Sequence, residues 1–450
     1  MCNFELEPGK KCPLEKHEGS PFCALHAPFP DDKTSIEFQQ LLNLKNIKVK
    51  EKIEQGDFDF RGVKIKHFLL FNLFDIEGPI LFDRATIDGN AIFNGVKIHG
   101  DAQFKNAIIK GNISFEGATI EGNARFYGAR VQGDIIFINA LIGSDAWFRT
   151  AKIQGDALFR DAIIKGDVTF WGAIIEGNAA FDRATIEGDA IFWATMVKGN
   201  ATYEGAIIKE NATFQRATIQ GDASFTNAII KGSVIFEGAI IGQNITFEGA
   251  TIQGKAQFFE DENNIGIING DIRLRSTKIV GELKFTDSFF KRLHAREQIN
   301  RYAKRLCEER GEKNDAEKYF FKEMDIRRKQ KSLKETKGES KRERFIKEFE
   351  YILEWPLKYL FFYGVYPIYT FFIWISVIFL FAIIYYLFAM IEATSFWDYL
   401  YFSVINAMMP GYGGTYPNPG IPRLIASIEA IFGTFMWASF IVILVRKFMR

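Results

Sequence analysis

The chain has 450 residues, more than one hydrophobic core organises, so several domains are expected. Lysine plus arginine (56) nearly balances aspartate plus glutamate (55) and the pI is about 7.6, which argues against a nucleic-acid footprint. Three of the four cysteines lie in the first 23 residues, so the fold is not held by a disulfide framework.

Residues 1–30 form the first expected unit. Met1–Pro30 has no apolar run of secretory-leader length. Its cysteines, Cys2, Cys12 and Cys23, together with His26, make a complete tetrahedral set for zinc. Cys23-x-x-His26 has ligand-like spacing, and Gly19 and Pro21 supply a turn before it. His17 competes for the fourth position. The segment is polar and too short to fold alone, so a metal would supply its stability. A closed four-ligand set leaves no place for a substrate, so the expected role is structural.

An internal repeat fills the next unit, 31–288. Phenylalanines recur every eleven residues, from Phe60, Phe71 and Phe82 through Phe181 and Phe192 to Phe258, with Tyr203 once in their place. One unit reads Phe181-Asp-Arg-Ala184-Thr-Ile186-Glu-Gly188-Asp189-Ala190-Ile. An insertion near Asp261–Ile265 shifts the phase, which resumes at Leu274 and Ile279. A period of eleven also suits a helical supercoil, but a glycine in nearly every unit costs a helix about 1 kcal/mol each time. Short β-branched stretches punctuated by Gly-Asp and Gly-Asn read as strands and turns. This pattern resembles the pentapeptide-repeat family, and the resemblance implies a right-handed, four-sided parallel β-helix. Two repeats then make one coil, with Phe and Ile inside and neighbours such as Arg125 and Tyr127 outside. Trp147, Trp171 and Trp193 are expected to face outward, where an unidentified protein or ligand could dock. No recurring Asp/His/Ser set appears on the outward positions, so the rod is expected to be structural.

Residues 289–334 read as an αα-hairpin punctuated by Gly311, and resemble a single tetratricopeptide-like helix pair that would cap the open β-helix. Residues 291–350 carry 20 Lys/Arg against 13 Asp/Glu. A basic linker and an interfacial helix are expected over 335–366, with Phe345–Tyr363 lying on the membrane face and broken by Pro356.

Residues 367–450 read as a membrane domain. No charge falls between Lys358 and Glu392, giving a first span at about 367–391; a second is expected at about 422–446, where the stretch enclosed by Arg423 and Arg446 is interrupted only by Glu429. Basic residues precede the first span and follow the second, and the loop between them has none, so both termini are expected in the cytoplasm of a cell that carries the protein in its plasma or inner membrane. Between the spans stands Ser395-Phe-Trp-Asp398-Tyr-Leu-Tyr-Phe402-Ser-Val404, followed by Met409-Pro410-Gly411-Tyr412-Gly413. This stretch resembles the pore helix (about 396–408) and selectivity filter (409–413) of potassium channels, and the second span resembles their inner helix, with Gly433 at the hinge place. The resemblance implies a homotetramer passing monovalent cations such as potassium, because one loop supplies a quarter of a carbonyl ring. Met408-Met409-Pro410 replaces the family's Thr-Thr-Val, so a ring of hydroxyl ligands and an anchoring N–H are lost. Glu429 is an acid inside the membrane and hence a functional residue by default, expected to find a partner behind the filter.

The expected architecture is therefore multidomain: a right-handed quadrilateral parallel β-helix, an α-helical hairpin and a two-span membrane pore domain. No nucleophile–base pair, phosphate loop or open metal site points to an enzyme. The expected function is a cation channel with a cytoplasmic rod that senses or scaffolds, and the rival is a non-conducting, membrane-anchored scaffold.

Overall fold

The computed structural model describes residues 1–66, 68–69, 75–261, 266–333, 349, 352, 358–408 and 415–449. They pack as two compact units, Met1–Ile299 and Asn300–Arg450.

In the first unit four parallel sheets, each of 10 strands, form the sides of a β-helix. The strands are mostly two residues long, and partners lie 22 residues apart, as in Ala102↔Ala124 and Gln103↔Arg125. One coil is therefore two eleven-residue repeats, as the phenylalanine period requires. Phe71 and residues 262–265 of the insertion lie outside the described residues.

The core follows from the repeat. The inward Phe, Ile and Ala side chains are fully or almost fully buried along the whole rod. Phenylalanines one coil apart stack in parallel, as Phe104 and Phe126 do at 4.9 Å and 4°. Phenylalanines one repeat apart meet edge to face, as Phe115 and Phe126 do at 6.2 Å and 86°. Two stacked aromatic columns thus run along the rod, each ring stacked in its own column and edge to face with the other, the two arrangements that aromatic quadrupoles favour. Outward positions are mostly polar or amphipathic, with Ile108, Ile163, Met196 and Ile229 also facing out. Trp147 and Trp171 are among them, each lying under an arginine, Arg125 at 5.3 Å and Arg149 at 4.0 Å.

From Gly100 onward, the glycine of the Gly-Asp and Gly-Asn pairs has a different cause from the turn chemistry that the sequence implies. The left-handed residue of the unit lies two after the phenylalanine, where Gly172, Asn139 and even Arg183 have φ near +60°. Gly188 instead sits where consecutive coils approach most closely. A Cβ there would stand 2.7 Å from the Gly166 carbonyl carbon and 2.8 Å from the Asp167 nitrogen. The acid that follows also works between coils: Asp167 Oδ1 accepts from the Asp189 backbone N–H at 2.8 Å. This contact repeats from coil to coil, at Asp145 to Asp167 and at Asp189 to Asn211.

The rod does not begin at residue 31. Residues Ile36–Glu54 form a helix, α1, whose cap Ser35 accepts from the Phe38 N–H at 3.1 Å, and the first strand of the rod is Lys64–Ile65. At the other end, Phe289 and Phe290 cover Phe258, with ring centroids 6.4 and 6.1 Å away. The helical hairpin follows as α2 (Leu293–Arg310) and α3 (Lys313–Leu333), with Gly311 at φ +76° between them. The interfacial helix expected over 345–363 falls mostly outside the described residues.

Among its described residues the second unit carries three further long helices: α4 (Pro367–Leu387), α5 (Phe396–Met408) and α6 (Ile421–Met449). Pro367 at the first turn of α4 and Pro422 at the start of α6 occupy places where a missing N–H costs nothing.

Candidate pore site

Two of these helices are long and apolar enough to cross a bilayer, Pro367–Leu387 and Ile421–Val445. The short helix α5 stands between them and packs on both. Its start is fixed locally. Ser395 Oγ accepts from the Trp397 N–H at 3.1 Å, and Asp398 reaches back to accept from the Ser395 N–H at 2.9 Å, a reciprocal capping box. Its far end, Met408, leads directly into 409–413. The expected filter residues Met409, Pro410, Gly411, Tyr412 and Gly413 lie outside the described residues. The chain returns through Asn418, whose N–H donates to the Met390 carbonyl at 2.9 Å and whose side-chain amide donates to that of Ala389 at 3.1 Å.

Glu429 is buried and holds the three helices together. Its Oε2 accepts from the Tyr385 hydroxyl of α4 at 2.6 Å and from the Asn406 amide of α5 at 2.8 Å. Its Oε1 meets the Ser403 hydroxyl of α5. Asn406 also donates to the Ala426 carbonyl, and Ser403 lies 2.8 Å from the Ile378 carbonyl. Every polar atom of the carboxylate is thereby engaged, which is the condition for an acid to stay inside a membrane helix bundle. Sequence reasoning singles out Glu429 but misses Tyr385, Ser403 and Asn406. The signal for two of them was present: Ser403 and Asn406 are polar residues three apart on one face of a short apolar helix. Tyr385 carries no such mark among the aromatics of its span.

Gly433 lies where α6 crosses α5. A Cβ there would stand 2.6 Å from Ala407 Cα and 2.7 Å from its carbonyl oxygen, so close packing alone requires glycine at this place. Below this crossing Trp374 and Trp437 meet at 5.1 Å in a cluster with Ile378, Ala407 and Met436.

Helix α3 reaches both ends of the hydrophobic hairpin. Glu317 pairs with Lys447 of α6 at 3.0 Å, and Asp325 pairs with Lys358, which precedes α4. Burial works against the Asp325 carboxylate, but Lys358 and Lys329 outweigh it and hold it below the usual carboxylate range. Phe321 of the same helix lies against Tyr363 and Tyr366, at 5.6 and 6.3 Å.

In the first unit the four expected metal ligands, Cys2, Cys12, Cys23 and His26, are all buried and their ligand atoms lie within 4.8 Å of one another. His17, the competing candidate, is not in this group.

Comparison with known families gives two matches. Pentapeptide repeats (nine copies) match residues 82–130, 148–196 and 214–260, and an ion channel family matches residues 373–450. No curated protein and no solved structure matches the chain. The rod's 22-residue coils and the α4–α5–α6 arrangement agree with these matches, so the chain contains pentapeptide repeats and, at its carboxyl end, a potassium-channel-like ion channel domain with two membrane-capable helices.

Proposed function

We propose that the chain assembles as a homotetrameric, potassium-like cation channel of the plasma or inner membrane. Both termini and the β-helix lie in the cytoplasm, where the rod senses or scaffolds a partner. The observation that carries this reading is the fixed position of α5. Glu429 and the Gly433–Ala407 contact hold a short helix between two spans, and that helix is followed in the sequence by Met409-Pro410-Gly411-Tyr412-Gly413. Four such loops around one axis would form rings of backbone carbonyls that replace the water of a permeating cation. Gly411 and Gly413 supply the left-handed freedom that such a loop needs.

Coupling of the cytoplasmic helices to the membrane pair is supported by α3. A charge pair at each end of the membrane hairpin, Glu317–Lys447 and Asp325–Lys358, lets movement of the cytoplasmic helices act on the inner ends of α4 and α6. Gly433 serves as the hinge of α6, in addition to its packing role.

The test is current across a bilayer containing the purified full-length protein, with reversal potentials in mixed potassium and sodium. Potassium permeates, and it is preferred less strongly than by a filter that has a hydroxyl ring. Gly411→Ala or Gly413→Ala abolishes current while tetramers persist, since a Cβ in the left-handed region costs roughly 1–2 kcal/mol in each of four copies. Met409→Thr with Pro410→Val sharpens selectivity. Tetramers with no cation current at any voltage, pH or calcium concentration would make the membrane-anchored scaffold the better reading.

A further inference from the structure

The amino-terminal segment does not trail from the rod; it is folded onto the rod's first coil. A hairpin of Glu5–Glu7 with Lys10–Lys11, turning at Gly9 (φ +79°), closes the long gap between Cys2 and Cys12. The Cys12 N–H donates to the Phe4 carbonyl at 2.8 Å, and the Cys23 N–H points at Cys2 Sγ at 3.1 Å. His26 Nδ1 lies 3.1 Å from Cys23 Sγ and 3.4 Å from Cys2 Sγ. The other ring nitrogen, Nε2, is 2.8 Å from the Arg61 carbonyl, a contact that requires its proton there and leaves the Nδ1 lone pair facing the thiols. Phe4 stacks on the imidazole at 4.1 Å and shields it. All four cysteines of the chain are free thiols, and the three in this cluster are buried together.

The same residues complete the rod's exposed edge. The first strand donates its Lys64 N–H to the Leu25 carbonyl at 2.9 Å, in the place that a preceding coil would fill. Phe4 covers Gly62, and Arg84 donates to the Glu5 and Leu6 carbonyls at 2.7 and 2.8 Å. Lys45 of α1 is fully buried and gives its ammonium to three carbonyls: Leu25 at 3.2 Å, Ala27 at 2.7 Å and Lys64 at 2.6 Å. Leu25 and Ala27 flank His26, so this cation ties the cluster to the first strand.

We propose that Cys2, Cys12, Cys23 and His26 bind one zinc ion, and that the zinc-loaded knuckle is the cap that closes the amino end of the β-helix. Three thiolates and one imidazole form a closed tetrahedral donor set that suits zinc and offers nothing to magnesium or calcium. Binding releases the thiol protons to solvent, and the complex of a dication with three thiolates carries one negative charge. The Lys45 ammonium beside it supplies the opposite charge. Without the metal, nothing covalent or coordinate joins the hairpin to the Cys23–His26 turn, and the first strand edge opens to solvent.

The test uses the full-length protein, purified in detergent from zinc-replete medium with reductant. Elemental analysis should find one zinc per chain, and modification of the clustered thiols with a mercurial should release it. Cys23→Ser and His26→Ala should lose the metal, whereas His26→Cys should keep it. Hydrogen exchange after chelation should accelerate at Lys64 and Thr86 by about tenfold or more and stay unchanged at Thr185 in mid-rod. If Cys23→Ser does not fold, mercurial release from the native protein decides the question. Protein that contains no zinc and takes up none when zinc alone is added overturns the site, and so does stoichiometric iron. Zinc that leaves without changing exchange at Lys64 overturns its role as cap.

Discussion

Replacing Glu429 by leucine tests whether this carboxylate ties the three pore helices together. Leucine takes the acceptor at 2.6 Å from the Tyr385 hydroxyl, the acceptor at 2.8 Å from Asn406, and the partner of Ser403. Asn406 keeps the Ala426 carbonyl and Ser403 keeps the Ile378 carbonyl, so the largest loss falls on Tyr385. Two hydrogen bonds at about 0.6 kcal/mol each, the average within membranes, and the loss of the carboxylate's bond from the buried Tyr385 hydroxyl at about 1–3 kcal/mol give about 2–4 kcal/mol per chain. Glutamine is the control. Its carbonyl oxygen can take both Tyr385 and Asn406, and its amide can donate to Ser403 Oγ while the Ser403 proton goes to the Ile378 carbonyl. Thermal unfolding of the detergent-solubilised protein, followed through tyrosine and tryptophan fluorescence, reads the difference. Glu429→Leu should lower the midpoint by about 5–15 °C, from about 2–4 °C per kcal/mol for a unit of this size, and Glu429→Gln by much less. A leucine variant as stable as the parent would refute the tie. A glutamine variant as damaged as the leucine one would show that charge, rather than hydrogen bonding, is what the site needs.

Gly433→Ala should destabilise the pore unit by about 1–3 kcal/mol, because its Cβ meets Ala407 at 2.6–2.7 Å. A glycine kept only as a hinge predicts the opposite, since alanine favours the helix, and the same melting assay separates the two. Tyr203 places a hydroxyl inside the aromatic column with no hydrogen-bond partner among the described residues, and burial pushes its ionisation well above the ordinary tyrosine value. Tyr203→Phe should therefore stabilise the rod by about 1 kcal/mol in circular-dichroism melts, and a loss of stability would reveal a partner for the hydroxyl. Phe181→Asp puts a carboxylate between Phe159 and Tyr203, whose rings lie 4.8 and 5.1 Å from Phe181, and should cost several kcal/mol. Ile163→Lys, at an outward position that is 44% exposed, should change stability by no more than about 0.5 kcal/mol; equal protease sensitivity in these two variants would mean that the inward face is misassigned.

Much of the rod was legible in the sequence because each eleven-residue unit repeats one burial pattern. Phe181, Ala184 and Ile186 cannot all face inward unless the chain turns at each side of a square, and the register is then fixed at 22 residues. The two spans and the short helix between them were legible for a similar reason: long uncharged runs and a capping box are local signals. Helix α1 was not legible. Phe38 and Leu41 are buried while Ile36 and Ile47 are exposed, and Lys45 is buried among carbonyls, so its apolar residues do not mark its inner face.

The chemistry of single positions depended on neighbours distant in the chain. Gly188 and Asp189 look like turn residues in the sequence, but their surroundings are Gly166 and Asp167, one coil below. Cys2 and Cys12 are ten residues apart, a spacing that means little until a hairpin folds them against Cys23 and His26. Glu429 was visible as an anomalous charge, yet its place in the molecule was decided by Tyr385, 44 residues earlier, and by Ser403 and Asn406 on a different helix. Period and composition act along the chain and can be read there. Close approach and hydrogen-bond satisfaction act across space, and only the packed structure brings their partners together.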